Sequence, residues 1–284
     1  MSALISRNLK VFFRDRASVF FSLLAVLIIL GLYILFLGDV MMQDFHGVPG
    51  AKALSDSWIM SGILAVISVT TVLGAFGTMV DDRAHKIIKD FSASPLSRGK
   101  LAGSYIVSSF VVGSAMTILA FALSEIYIVA RGGTLLTLTQ TAEVMGLILL
   151  SALSNTAMIS FLVSFLKSQN AFGTASSLVG TLIGFLTGIY MPVGVLPEAM
   201  QAVVKVFPVS HAALLLRRIM MEAPMKAVFA GAPDAAVQSF RTQMGLSYSL
   251  GGAEIPASVS VAILAAAALI FYALSIIRFS KKEK

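Results

Sequence analysis

Six long apolar runs, each free or nearly free of charge, divide the chain: Ala17–Leu37, Ser57–Val80, Leu101–Ala130, Val144–Leu166, Ala171–Val193 and Ala257–Ile277. Each reaches the ~20 residues that a helix needs to cross a bilayer, so six transmembrane helices are predicted. Elsewhere the pattern turns amphipathic. In residues 2–16, Ile5, Leu9, Phe12 and Phe13 share one helical face, with Arg7, Lys10 and Arg14 opposite. That is the pattern of a helix lying in the plane of the interface; a solvated basic N-terminus is the alternative. Between Val80 and Lys100, Ala84, Ile87, Ile88 and Phe91 recur at helical spacing, while Asp82, Lys86, Lys89 and Asp90 fall on the other side. A short amphipathic helix is expected there. It should stop near Ser92, with Ser94-Pro95 serving as N-cap and first residue of the next helix.

The segment 194–256 is less regular. Val203–Met221 is apolar enough for a seventh span, but Pro208 interrupts it, and Lys205 and Arg217-Arg218 bracket it. The expectation is a re-entrant or interfacial helical pair, possible only where protein covers its backbone. Pro233 and Gly245 then bound a small external helix over Asp234–Met244.

Composition places the chain. Of its 284 residues 57% are hydrophobic and 12% charged, against roughly 25% charged in a soluble domain. An all-α integral membrane protein is therefore expected, in a single domain over residues 1–284. The net charge of +7 would suit nucleic acid, but the basic residues flank apolar runs rather than forming a groove-sized patch. Anionic lipid headgroups are the better match. Absence of cysteine excludes disulfides and thiolate metal sites. The first run is too long for a signal-peptide core and reads as a retained span. With the N-terminus cytosolic, the inner segments hold fourteen of the 21 Lys and Arg, and the short outer loops only Lys52 and Arg131. Both termini and the 80–100 loop are thus expected in the cytosol.

Catalytic signatures are missing. No G-x-x-x-x-G-K-[ST] loop occurs, since Gly99-Lys100 lacks the upstream glycine and precedes leucine. His46, His85 and His211 fall in separate segments and predict no shared metal site. Among ionisable residues inside the runs only Glu125 stands out, near the outer end of the third. It is either a loop-facing carboxylate or a group for substrate or helix pairing. Ser151 and Asn155, at i, i+4 in the fourth run, either bond neighbouring helices or line a path. Gly180, Gly184 and Gly188 form a doubled G-x-x-x-G that lets backbones approach closely, against another span or a second copy.

The basic amphipathic N-terminus, Asp82-Arg83…Lys89-Asp90-Phe91…Ser94-Pro95-Leu96-Ser97-Arg98, Pro192-Val-Gly-Val-Leu-Pro197, and Phe207-Pro208-Val-Ser-His211…Leu216-Arg217 together resemble the permease subunits of ABC-2 type exporters, particularly the bacterial drug- and antibiotic-export branch. The usual glutamates and glycine before S-P-L are replaced here by Asp82 and Lys86-Ile-Ile. The resemblance implies the transmembrane half of an exporter in the bacterial cytoplasmic membrane, moving an amphipathic drug, antibiotic, peptide or lipid-like substrate. A second permease copy or paralogue and separate ABC ATPase subunits would complete it, with ATP and magnesium on the ATPase and no cofactor or catalytic residue in this chain. Residues 81–98 would be the coupling helix, with Asp82, Arg83, Lys86, Ile87, Lys89, Asp90 and Phe91 meeting the ATPase. Residues 1–16 would be the connecting helix and 194–256 the external re-entrant segment. An ion-coupled secondary carrier and a non-transporting scaffold or sensor are the competing classes.

Overall fold

A computed structural model of the chain describes residues 1–33, 48–92, 97–250 and 253–280. The amphipathic N-terminus is helix α1, Ser2–Arg14, which buries Asn8 and Phe12 and packs Leu4 and Leu9 beside them. Phe13, expected on that face, is exposed. Asp15 breaks the helix in an extended conformation, and its carboxylate accepts the Ala17 N–H at 3.0 Å. This opens α2, Arg16–Leu32, the described part of the first predicted span; residues 34–37 and His46 lie outside the described residues.

Helix α3, Ala51–Ala84, is the centre of the molecule. It is buried along nearly its whole length because helices pack around it on every side. Its neighbours include α2, α5 (Arg98–Ala130), α6 (Leu138–Val163) and α7 (Gln169–Leu186). Local signals fix these boundaries. The Ser97 hydroxyl caps α5 by accepting the Lys100 N–H, and Thr137 with Gln140 forms a capping box on α6. The expected Ser94-Pro95 helix start lies outside the described residues.

Two predicted elements differ. The amphipathic helix after Val80 is not continuous: α3 ends at Ala84, Lys86 takes a left-handed backbone with φ 62°, and α4 covers only Ile87–Ser92. Lysine is no helix breaker, so the pattern of side chains gave no sign of the turn. The fifth predicted span ends at Leu186 rather than Val193. Gly188, at φ 68°, closes it in a turn where the Ile189 N–H donates to the Gly184 carbonyl, a glycine helix stop.

Beyond it come a 3-10 turn at Val193–Val195, α8 (Glu198–Val206) and α9 (Pro208–Met220). Pro208 at the start of α9 sets the corner, where the two helices meet at 85°. Two short helices follow, α10 (Glu222–Val228) and α11 (Asp234–Gln243), then a small hairpin of β1 (Ser249–Leu250) and β2 (Ala253–Glu254). Helix α12, Ala257–Ser280, returns along α6 and α9. Among the described residues α3, α5, α6 and α12 are each long and apolar enough to cross a membrane, and the α8–α9 pair adds a fifth if counted as one broken span. One end of the bundle gathers α1, α4 and the end of α12; the opposite end gathers α8 to α11.

Candidate functional site

The last turn of α3 lies at the α1 end and carries three charged residues that diverge. Asp82 points into the bundle and is almost fully buried. Both its oxygens accept from the Arg7 guanidinium of α1, Oδ1 at 2.8 Å, and the Tyr105 hydroxyl of α5 donates to Oδ2 at 2.6 Å. The fork of an arginine matches a carboxylate in this two-point way, and the hydrogen bond to Asp82 raises the Arg7 pKa. Beside it the Asn8 amide donates to the Ser108 hydroxyl at 3.4 Å. Arg7 and Asp82, expected on solvent-facing charged surfaces, are instead paired inside. Periodicity assigns them a face of their own helix, but only the fold brings two such faces together.

Arg83 turns the other way and donates to the Val163 and Leu166 carbonyls at 3.3 and 3.1 Å. A cation is favoured at that helix C-terminus, and Phe279 of α12 lies 5.9 Å from the guanidinium carbon. Asp81 accepts from the Gln169 amide at the start of α7, at 2.7 Å. The end of α3 is thereby tied to α1, α5, α6 and α7.

Helix α4 hangs from this knot. Ile88 and Phe91 pack partly buried against the core, and the Phe91 ring lies 5.6 Å from the Arg7 guanidinium carbon. Lys86 and Asp90 are exposed and Ile87 half-buried; the Lys89 side chain lies outside the described residues. Of the residues expected to meet a partner, Lys86, Ile87 and Asp90 are therefore the ones left accessible, beside α1, whose Lys10 and Arg14 are also exposed.

Above the knot a cleft of about 590 Å³ opens between α1, α3 and α7. Thr70, Thr78, Asp81, Gln169 and Ser176 give it polar groups, and Gly74, Gly77 and Gly180 give it width. Of the residues expected along a path, only Gly180 borders it. The Asn155 amide donates to Ser68 of α3 at 2.9 Å, bonding two helices, and the Ser151 hydroxyl is buried with no hydrogen-bond partner among the described residues. Glu125 faces a loop, accepting the Leu136 N–H at 3.1 Å. Gly184 is filled by the Tyr190 ring, 2.0 Å from where a Cβ would stand, and Gly188 is the helix stop. The doubled G-x-x-x-G thus shapes the end of α7, where the Arg217 guanidinium of α9 comes within 3.6 Å of where a Gly188 Cβ would stand.

The sequence also hid a counterpart at the opposite end. Asp56, near the start of α3, is buried and accepts from the Tyr33 hydroxyl at 3.0 Å and the Arg131 Nε at 3.1 Å. Asp56 and Asp82 each pair with one arginine and one tyrosine. A carboxylate within a turn or two of the end of an apolar helix is the signal that could have marked both. No group of His, Asp or Glu suited to a metal ion occurs among the described residues.

A family model described as an ABC-2 family transporter protein matches residues 45–277. No curated protein matches the chain.

Proposed function

The chain belongs to the ABC-2 transporter family, and from that premise we propose that it is the membrane-spanning half of an ATP-driven exporter, coupled to a separate ABC ATPase through α4 and α1. The observation that carries this reading is the contact chain from α4 to the central helix: Phe91 against Arg7, Arg7 on Asp82. A push on α4 reaches α3 through this charge-assisted, two-point bond as well as through the two-residue turn that joins the helices. Closure of two ATPase subunits would tilt α3 and α7 in each of two permease copies and alter the cleft between them. The α1 end would then face the cytosol and the α8–α9 corner would be a re-entrant element at the outer side of a bacterial cytoplasmic membrane. An amphipathic substrate suits a cleft that mixes threonine, serine and glutamine with glycine and Phe172. ATP and magnesium would act on the partner subunit; this chain contributes shape and coupling.

Co-purification of the chain with its ATPase, followed by Phe91→Ala, Ile87→Ala and Asp90→Ala in turn, tests the reading. The expected result is an intact complex or a weakened one, with ATP-dependent export of amphipathic dyes lost in either case. Wild-type export by all three variants would remove the basis for the proposal.

A further inference from the structure

A second cavity, of about 750 Å³, lies between α6, α7 and the α8–α9 corner. Phe161, Phe165, Leu182, Phe185, Val203 and Phe207 are among its walls. Among the described residues Asn155 is the single polar side chain lining it, and its amide is already given to Ser68. A buried water needs two to four polar partners, which these walls do not offer. Protein interiors are close-packed, so a space of this size flanked by spanning helices calls for hydrocarbon.

Depth and entry are set by α8. Ala199, Met200, Val203 and Val204 turn toward the cavity, while helical periodicity puts Glu198, Gln201 and Lys205 on the opposite side. A helix divided in this way is of the kind that lies at a membrane interface, and it turns at 85° into α9. It closes one end of the cavity. Leu182 and Val203 are 55% and 57% exposed, so the cavity opens sideways between α7 and α8 onto an apolar surface.

We infer that this cavity holds one acyl chain of a phospholipid drawn from the leaflet at the α8 end. The chain enters between Leu182 and Val203, and the headgroup stays at the level of the polar face of α8. The site is distinct from the cleft between α1, α3 and α7, and its occupancy does not depend on an ATPase.

The test uses the full chain in phosphatidylcholine vesicles containing a phosphatidylcholine with a photoactivatable diazirine on one acyl chain, with cross-links mapped by peptide mass spectrometry. Leu269 and Ile270 on α12, 74% and 56% exposed, report ordinary lipid contact. Cross-links on Phe161, Ile183 and Val204, which line the cavity and are sheltered from bulk lipid, should exceed those on Leu269 and Ile270 several-fold. Ala199→Trp, which fills the cavity from its α8 end, should cut them several-fold and leave α12 labelling unchanged; Val179→Phe fills it from α7 and serves as a second variant. Cavity labelling no stronger than that of α12, or unchanged in both variants, overturns the inference. Loss of export in a chain that still labels would instead concern the coupling proposal.

Discussion

Removing Arg7 should destabilise the protein more than removing its partner Asp82, although the two make the same bond. The Asp82 side chain is 3% exposed and that of Arg7 32%. In Arg7→Met, a good helix former at that position, the carboxylate stays buried with Tyr105 as its hydrogen-bond donor. An uncompensated buried charge costs about 3–5 kcal/mol, and the Tyr105 bond puts this case near the lower end. In Asp82→Asn the guanidinium can turn toward solvent and the amide oxygen still accepts from Tyr105. The loss is then part of a charge-assisted bond, about 1–2 kcal/mol. The double variant has no charge left to strand and should lie above Arg7→Met alone. Thermal midpoints of the purified chain in detergent, read as loss of the monodisperse species, give the order: wild type, Asp82→Asn, the double variant, Arg7→Met. Equal losses for the two single variants, or a double variant lower than both by their sum, would refute the argument that α1 and α3 are held by one buried pair.

Gly184→Ala should displace the exposed Tyr190 ring, whose atoms lie 2.0 Å from the new Cβ, and so lower the midpoint relative to Gly180→Ala, which meets nothing within 4 Å and should raise it slightly because alanine is the better helix former; both are read by the same melt. Asn155→Ala should lower stability by about 0.6 kcal/mol, the usual worth of a hydrogen bond between membrane helices, since Ser68 loses its donor. The Lys226 and Gln140 hydrogen bonds hold the Glu222 carboxyl below its ordinary pKa. A depressed carboxylate stabilises the fold above its unfolded pKa, and the contribution is lost as pH falls through the folded one. Protection factors in α10, corrected for the intrinsic exchange rate, should therefore fall on acidification through that window, and Glu222→Gln should flatten the response; an unchanged pH profile would count against the link from α6 to α10.

Much of the fold was written in the apolar runs. The second, third, fourth and sixth predicted spans are the cores of α3, α5, α6 and α12, and Pro208 marked the corner between α8 and α9. What periodicity could not supply was any contact between distant residues. Arg7 reads as one more basic residue on a basic face, and 75 positions separate it from Asp82. The turn at Lys86 was equally hidden, because a left-handed lysine is held by its surroundings rather than by its own preference. Glycine misled in the opposite sense: Gly188 read as a packing residue, while its positive φ ends α7. A short helix in the candidate docking segment was legible along the chain, but which of its residues face outward needed the fold to be seen.

The central helix has a property that its two buried carboxylates confer. Thirty-four residues of unbroken helix make a rod about 51 Å long at 1.5 Å per residue, gripped near both tips. Such a rod cannot bend freely at one tip and stay still at the other; it swings whole. A tilt of about 5° around its midpoint carries each tip about 2 Å, in opposite directions. A nudge too small to reshape any single contact beside Arg7 would therefore arrive beside Arg131 at full size and reversed in sense.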